Sequence, residues 1–286
     1  MNGPPVRVMG LSRKVLIRVV GAPLLLAALA AILYADHRAG FPSVLRWLLL
    51  AVGAAASWEF HGFCAARGIP TARAAGTLAV AALFAPWPRP EAAWGAVGFG
   101  FLLYVLLKLV FRHGRFTPEA AALSVLGFAY TGLLAGLLTP PVSRGTAVWY
   151  LLFLLAANKG ADMAAYVVGK SVGRRPMAPV LSPRKTWEGF VGGAVGGTAA
   201  AFAALRATPL REAFGDAPVA ALLLLAFSAT MAAQVGDLVE SAFKRWAGLK
   251  DSGRLLPEFG GILDLVDSFL VSIPVTHAAA IGVLAL

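Results

Sequence analysis

Apolar residues run through this chain in long blocks, and polar residues return mainly between them. A helix needs about 20 mostly apolar residues to cross a bilayer. Runs of this kind fall at about 15–35, 44–65, 71–87, 91–111, 119–139, 146–168, 188–206, 217–243 and 261–285. The third is broken by Pro86 and Pro88. The pattern predicts an all-α, polytopic integral membrane protein with about nine transmembrane helices. Residues 1–140 hold about five of them, with little specific chemistry. Residues 141–286 hold the rest and nearly all the polar motifs.

Composition agrees, since 59% apolar and 14% charged among 286 residues does not describe a soluble domain. Arg7, Arg13, Lys14 and Arg18 give the N-terminus the basic flank of a secretory signal. The apolar run behind them is too long for one, and Asp36-His37-Arg38 offers no small-residue cleavage site. It is therefore predicted to remain as the first membrane helix. The single cysteine, Cys64, excludes an internal disulfide and a thiol-rich metal site.

A net charge of +11 would suit nucleic acid, but its distribution points to a membrane. With the N-terminus inside, 18 of the 25 Lys and Arg fall on that side and six opposite, with Lys159 inside a span. This positive-inside bias predicts a cytoplasmic N-terminus and cytoplasmic polar loops. Nucleotides and anionic lipid headgroups are met there, and no nucleic-acid partner is expected.

The stretch Gln234 to Ser268 changes the picture most, because it carries six of the fourteen acids: Asp237, Glu240, Asp251, Glu258, Asp264 and Asp267. On a helix, residues three and four apart share a face, so Asp237, Glu240, Ser241 and Lys244 form one polar stripe and Asp264 and Asp267 another pair. A carboxylate at membrane depth costs about 2.5–3.5 kcal/mol, so such a group needs metal or basic partners. Asp237 and Asp264 lie on successive antiparallel spans joined by a short loop, and their carboxylates can meet. Oxygen donors without His or Cys favour Mg²⁺, with room for a second cation. The plainer alternative is that these are helix-end charges that snorkel or pair with Lys244 and Arg245.

Other polar positions are more isolated. Glu59 in the second apolar run reads equally as functional or interfacial. Asn158, Lys159 and Asp162 enter the sixth run, where Lys159 and Asp162 can neutralise each other. Gly169-Lys170-Ser171 resembles the end of a P-loop, but Ala164 stands where the first glycine belongs and no strand precedes it. Ser182-Pro183 predicts a helix start, with Ser182 as cap and Arg184, Lys185 and Thr186 in an anion-binding first turn. Gly189, Gly192, Gly193, Gly196 and Gly197 predict a face for close helix packing.

These motifs resemble the phosphatidate cytidylyltransferases (CDP-diacylglycerol synthases). The family's C-terminal signature, S-x-x-K-R-x4-K-D-x-G, then H-G-G, then D-R-x-D-S, is matched by Ser241, Lys244, Arg245, Lys250, Asp251, Gly253, Gly260, Gly261, Asp264, Asp267 and Ser268. Asp162 to Gly169 and Ser182 to Gly189 match two further segments. The resemblance is good over about 158–275 and loose before that. Phe259 replaces the signature histidine and Leu265 the arginine of D-R-x-D-S.

The resemblance implies transfer of CMP from CTP to phosphatidate, giving CDP-diacylglycerol and pyrophosphate, with Mg²⁺ required. It assigns Asp237 and Asp264 to the metal, and Asp267 and Glu240 as supporting or alternate ligands. Lys185, Lys244, Arg245 and Lys250 are assigned to phosphates, and Asp162 and Asp251 to organising those cations. Ser182, Thr186, Ser241, Gly260 and Gly261 complete the expected substrate site, with Arg254 or Arg184 in place of the missing arginine. The expected setting is a bacterial inner membrane, with CTP, phosphatidate and membrane lipids as partners and a homodimer as the protein assembly. The alternatives are a CTP-dependent transferase or kinase acting on another lipid, and a non-catalytic transporter or scaffold.

Overall fold

The computed structural model describes residues 7–8, 11–12, 43–112, 114–138, 146–253 and 260–285. Eight α-helices dominate: α1 (Ser43–Ala66), α2 (Arg73–Leu83), α3 (Pro90–Phe111), α4 (Pro118–Gly132), α5 (Ala147–Val172), α6 (Trp187–Ala207), α7 (Val219–Trp246) and α8 (Leu263–Leu284). A 3₁₀ segment, Leu133–Leu138, continues α4. The only strands among the described residues form two small hairpins: β1 (Arg7–Val8) with β2 (Leu11–Ser12), and β3 (Pro176–Ala178) with β4 (Ser182–Thr186).

Seven of these helices, with α4 counted through Leu138, are long and apolar enough to cross a membrane. The chain is an all-α polytopic membrane protein. The expected count of nine is not reached among the described residues. The run at 15–35 lies outside them, and the run at 71–87 folds as α2, only 11 residues long. At 1.5 Å per residue that helix spans about half of a 30 Å hydrocarbon core. Pro86, Pro88 and Pro90 prevent its continuation. Its end is satisfied by side chains, as a helix end away from water requires. Trp87 Nε1 donates to the Ala82 carbonyl at 2.8 Å, Trp94 Nε1 to Leu83 at 2.7 Å and Arg46 Nη1 to Ala85 at 3.0 Å.

One apolar cluster runs from Leu45 on α1 to Val283 on α8 and includes residues of both sequence halves. A smaller cluster, with Phe101, Val105, Phe116 and Ala120, joins α3 to the start of α4. The most extensive helix contact is α5 against α6, made by the predicted glycine face. A Cβ at Gly197 would lie 2.8 Å from the Ala157 carbonyl oxygen, and one at Gly193 3.1 Å from that of Ala161. Gly236 does the same for α7 and α8, where a Cβ would lie 2.7 Å from the Asp267 carbonyl oxygen. These contacts bring the polar ends of α5 to α8 together.

Candidate active site

The site begins with a correction. Ser182-Pro183 does not start a helix; residues 182–186 form β4, paired antiparallel with β3 through Pro176↔Thr186 and Ala178↔Ser182. Pro183 is tolerated because a two-stranded hairpin leaves outer edges that need no N–H donor. The helix starts four residues later than predicted, at Trp187, because Thr186 is extended and its hydroxyl accepts the Gly189 N–H at 3.1 Å. Glu188 secures the hairpin, accepting the Arg174 and Arg175 N–H groups at 3.1 and 3.3 Å. Arg184 and Lys185 therefore stand on a strand just ahead of α6.

The hairpin places Lys185 against Asp237 of α7, with which it forms an ion pair. Only Oδ2 of Asp237 is engaged; Oδ1 has no hydrogen bond among the described residues. The two side chains line a cavity of about 220 Å³ with Asp162, Arg184, Gln234 and Tyr166. That volume is below the 300–1,000 Å³ of a typical small-molecule pocket, and suits a phosphate group better than a whole nucleotide. Asp162 also pairs with Lys159 at 3.0 Å. Lys170 lies within α5 near the Tyr166 hydroxyl at 3.5 Å, on a helix and not in a phosphate loop.

The predicted α7 stripe divides here. Asp237 turns toward the hairpin, whereas Glu240 and Lys244 turn toward α8. Glu240 is fully buried and pairs with Lys244, whose ammonium also reaches Asp264 Oδ1 at 2.7 Å. Asp264 Oδ2 accepts from the Ser252 N–H and Oγ, each at 2.9 Å, and from the Gly261 N–H at 2.8 Å. Asp237 and Asp264 thus each have their own lysine. Asp267 is buried near Asp237, whose like charge it feels, and accepts from Ser268 Oγ at 3.1 Å.

Gly260 turns the chain at φ 92°, where a side chain would be strained and a Cβ would lie 2.7 Å from Asp264 Oδ2. Lys250 and Asp251 are exposed on the loop, and Ser241 is half-buried on α7. Arg245 donates from Nε to the Leu181 carbonyl at 3.2 Å, tying the β3–β4 turn to the end of α7. Leu265 faces outward from the first turn of α8. Arg254 and Phe259 lie outside the described residues.

Glu59 is the residue whose role the sequence left open. It reaches across from α1, is buried, and accepts the Ile262 N–H at 3.0 Å, the Leu263 N–H at 2.8 Å and the Ser252 hydroxyl at 2.9 Å. It caps α8 from another helix and shares Ser252 with Asp264. Gly253 and Gly261 lie directly against its carboxylate, where a Cβ would collide. The available signal was a carboxylate in an apolar run with no basic residue one turn away. Ser252 carried no signal beyond the variable position of K-D-x-G. Of the histidines, His61 bonds the Thr71 hydroxyl at 2.9 Å and His277 that of Tyr150 at 3.1 Å, both apart from the carboxylates.

Comparison with known proteins identifies the family. Residues 16–281 match the family described as the cytidylyltransferase family. The chain belongs to that family. It is 37% identical over 190 residues to a phosphatidate cytidylyltransferase of Staphylococcus saprophyticus, covering 66% of this chain and 68% of that one. It is 35% identical over 193 residues to that of Staphylococcus epidermidis and 34% over 194 to that of Staphylococcus aureus, each covering 67% of this chain and 70% of the relative. A cytidylyltransferase must hold a triphosphate and an acceptor together, and lysine-paired carboxylates at the ends of membrane helices are suited to that.

Proposed function

We propose that this cytidylyltransferase transfers CMP from CTP to phosphatidate in the membrane, forming CDP-diacylglycerol and pyrophosphate. The observation that carries the reading is the lysine-paired carboxylates, Asp237 with Lys185 and Asp264 with Lys244, on spans open to lipid. A phosphate oxygen of the lipid attacks the α-phosphorus of CTP in line. The bond from that phosphorus to the oxygen bridging to the β-phosphate breaks, and pyrophosphate leaves with the electron pair. Such transfer is accelerated chiefly by positioning and charge neutralisation.

Lys185 and Arg184, lining the 220 Å³ cavity, bind phosphate oxygens, and Asp162 orients them. Lys244 and Lys250 take the remaining phosphate charge. Arg245, bonded to Leu181, fixes where the hairpin stands. Asp237 would hold Mg²⁺ through its open oxygen, and Asp264, bonded to Lys244, Ser252 and Gly261, would join it by exchanging Lys244 for the cation. The donors fit a hard cation, being carboxylate oxygens with no His or Cys in the site, and Asp237 keeps Oδ1 free of hydrogen bonds among the described residues. When bound, the cation neutralises triphosphate oxygens and the charge developing on pyrophosphate. Asp267 and Glu240 support this pair from within the helix contact.

Purified protein in detergent with labelled CTP, Mg²⁺ and phosphatidate should yield a labelled CDP-lipid. No labelled lipid product would refute the reading. The apolar Leu265 facing outward where the family signature has arginine favours a second reading, an acceptor other than phosphatidate. Product from another lipid phosphate, with phosphatidate inert, would select it.

We also place the N-terminus and both motif loops in the cytoplasm of a bacterial inner membrane, on the basic-residue asymmetry. Cysteines introduced at the exposed Arg175 and Lys250 should react with an impermeant thiol reagent only after the membrane is opened. Labelling of both in intact cells would reverse this orientation.

A further inference from the structure

We propose a second anion site in this protein, away from the carboxylate–lysine centre, that takes the phosphate headgroup of an anionic membrane lipid. It lies at the turn between α3 and α4. There Lys108, Arg112 and Arg115 line one cavity of about 600 Å³ with Tyr104, Phe111 and Phe116.

Backbone bonds hold the described residues on either side of the turn. The Arg112 N–H bonds the Lys108 carbonyl at 2.9 Å, and the Arg115 and Phe116 N–H groups both bond the Arg112 carbonyl at 3.0 Å. Three cations are thereby brought to one concavity, not spread along a solvated face. Lys108 is half-buried, its ammonium 4.5 Å from the centre of the Phe116 ring and 6.0 Å from that of Tyr104. The ion pairs among the described residues involve Lys159, Lys185 and Lys244, and none of these three. Glu119, the nearest acid in sequence, lines a different groove, with Val239 and Trp246. Three like charges around one cavity repel each other, and an anion relieves that repulsion.

The walls show why the anion belongs to a lipid. On the side of α3 that lines the cavity, Tyr104, Leu107 and Phe111 are exposed beside the cations, and only 11% of the helix's most apolar window is buried in the protein. A headgroup phosphate in the cavity would leave its acyl chains along this bare helix. A free phosphate would gain nothing from it. Basic pockets between membrane helices bind anionic headgroups in this way. The site is on the same membrane face as the carboxylate–lysine centre, because Thr71 on its rim follows the end of α1 that carries Glu59 and because Arg67 stacks on Trp246 at the end of α7.

The test is native mass spectrometry of the delipidated full-length protein titrated with phosphatidylglycerol, which differs from the proposed substrate, and with phosphatidylcholine as the zwitterionic control. Wild type should retain phosphatidylglycerol in preference to phosphatidylcholine. Each cation removed should weaken that retention about fivefold, so that Lys108→Gln/Arg112→Gln/Arg115→Gln loses on the order of 100-fold. The triple variant should still form CDP-lipid within about twofold of wild type, separating this site from the catalytic one. If it does not fold, Arg112→Gln/Arg115→Gln, both exposed positions, should show the loss at about 25-fold. Equal phosphatidylglycerol retention by variant and wild type would overturn the proposal. Displacement of the lipid by millimolar inorganic phosphate would also overturn it, in favour of a soluble-anion site.

Discussion

α3 and α7 have the same mean hydropathy, 1.9 over their most apolar windows, yet 11% of that window is buried against protein in α3 and 50% in α7. Hydropathy reports compatibility with lipid and is silent about packing. α3 turns Phe99, Leu103, Leu106 and Val110 outward and touches chiefly α2 and α4. α7 packs on α5, α6 and α8 and carries Asp237, Glu240 and Lys244 inside that contact. The charges are tolerable on α7 because neighbouring elements supply partners: Lys185 from the hairpin, and Asp264 from α8. On α3 the same charges would face acyl chains. The difference between the helices lies in their surroundings, and variants can separate the two.

The largest effect is expected at Lys244, which holds the buried Glu240 and Asp264 together. Lys244→Met leaves two carboxylates facing each other without a cation and should destabilise the protein by about 3–5 kcal/mol, with activity lost in step. Thermal unfolding in detergent measures this, and an unchanged midpoint would show the pair to be dispensable.

Glu59→Gln sharpens the comparison at the N-terminal side. It keeps the shape but turns one acceptor into a donor facing the Ile262 and Leu263 N–H groups and Ser252, which should cost about 1–3 kcal/mol. Faster hydrogen exchange at residues 260–265 would locate the effect at the start of α8. Wild-type exchange there would refute the cap.

The smallest effect should be at Leu106→Ala, on the bare face of α3. A change within about 0.5 kcal/mol is expected, as for other exposed positions without special contacts. A loss of several kcal/mol would mean that α3 packs against something that this surface does not show.

The helices of the fold were legible because a bilayer imposes a length and a composition together, which is why seven of the nine predicted runs correspond to described spanning helices. α2 was misread as a span because its end is satisfied by Trp87, Trp94 and Arg46, contacts that no local pattern encodes. Ser182-Pro183 was misread for a related reason: it carries the local signature of a helix start, but hairpin pairing with Pro176–Ala178 and the Thr186 cap move that start to Trp187. The acids of α7 and α8 were legible because each is costly in lipid and they recur at helical spacing. Their partners were less so. The 52 residues between Lys185 and Asp237 and the 204 between Glu59 and Leu263 carry no periodic relation, and only the packing of α1, α6, α7 and α8 joins them.

The central claim is that Asp237 on α7 is kept for chemistry, whereas Glu240 and Lys244 hold α7 to α8, and Asp237 tests it most directly. Its carboxylate is a third exposed, holds Lys185 through one oxygen, and faces the small cavity with Asp162. Asp237→Asn keeps the shape and one oxygen donor while removing the charge. The measurement is CDP-lipid formation by purified Asp237→Asn across a Mg²⁺ titration, with thermal unfolding on the same sample. The account predicts a folded protein that loses most of its turnover and needs far more Mg²⁺ to recover what remains. A variant that is more stable than wild type, with unchanged turnover and unchanged Mg²⁺ dependence, would contradict it.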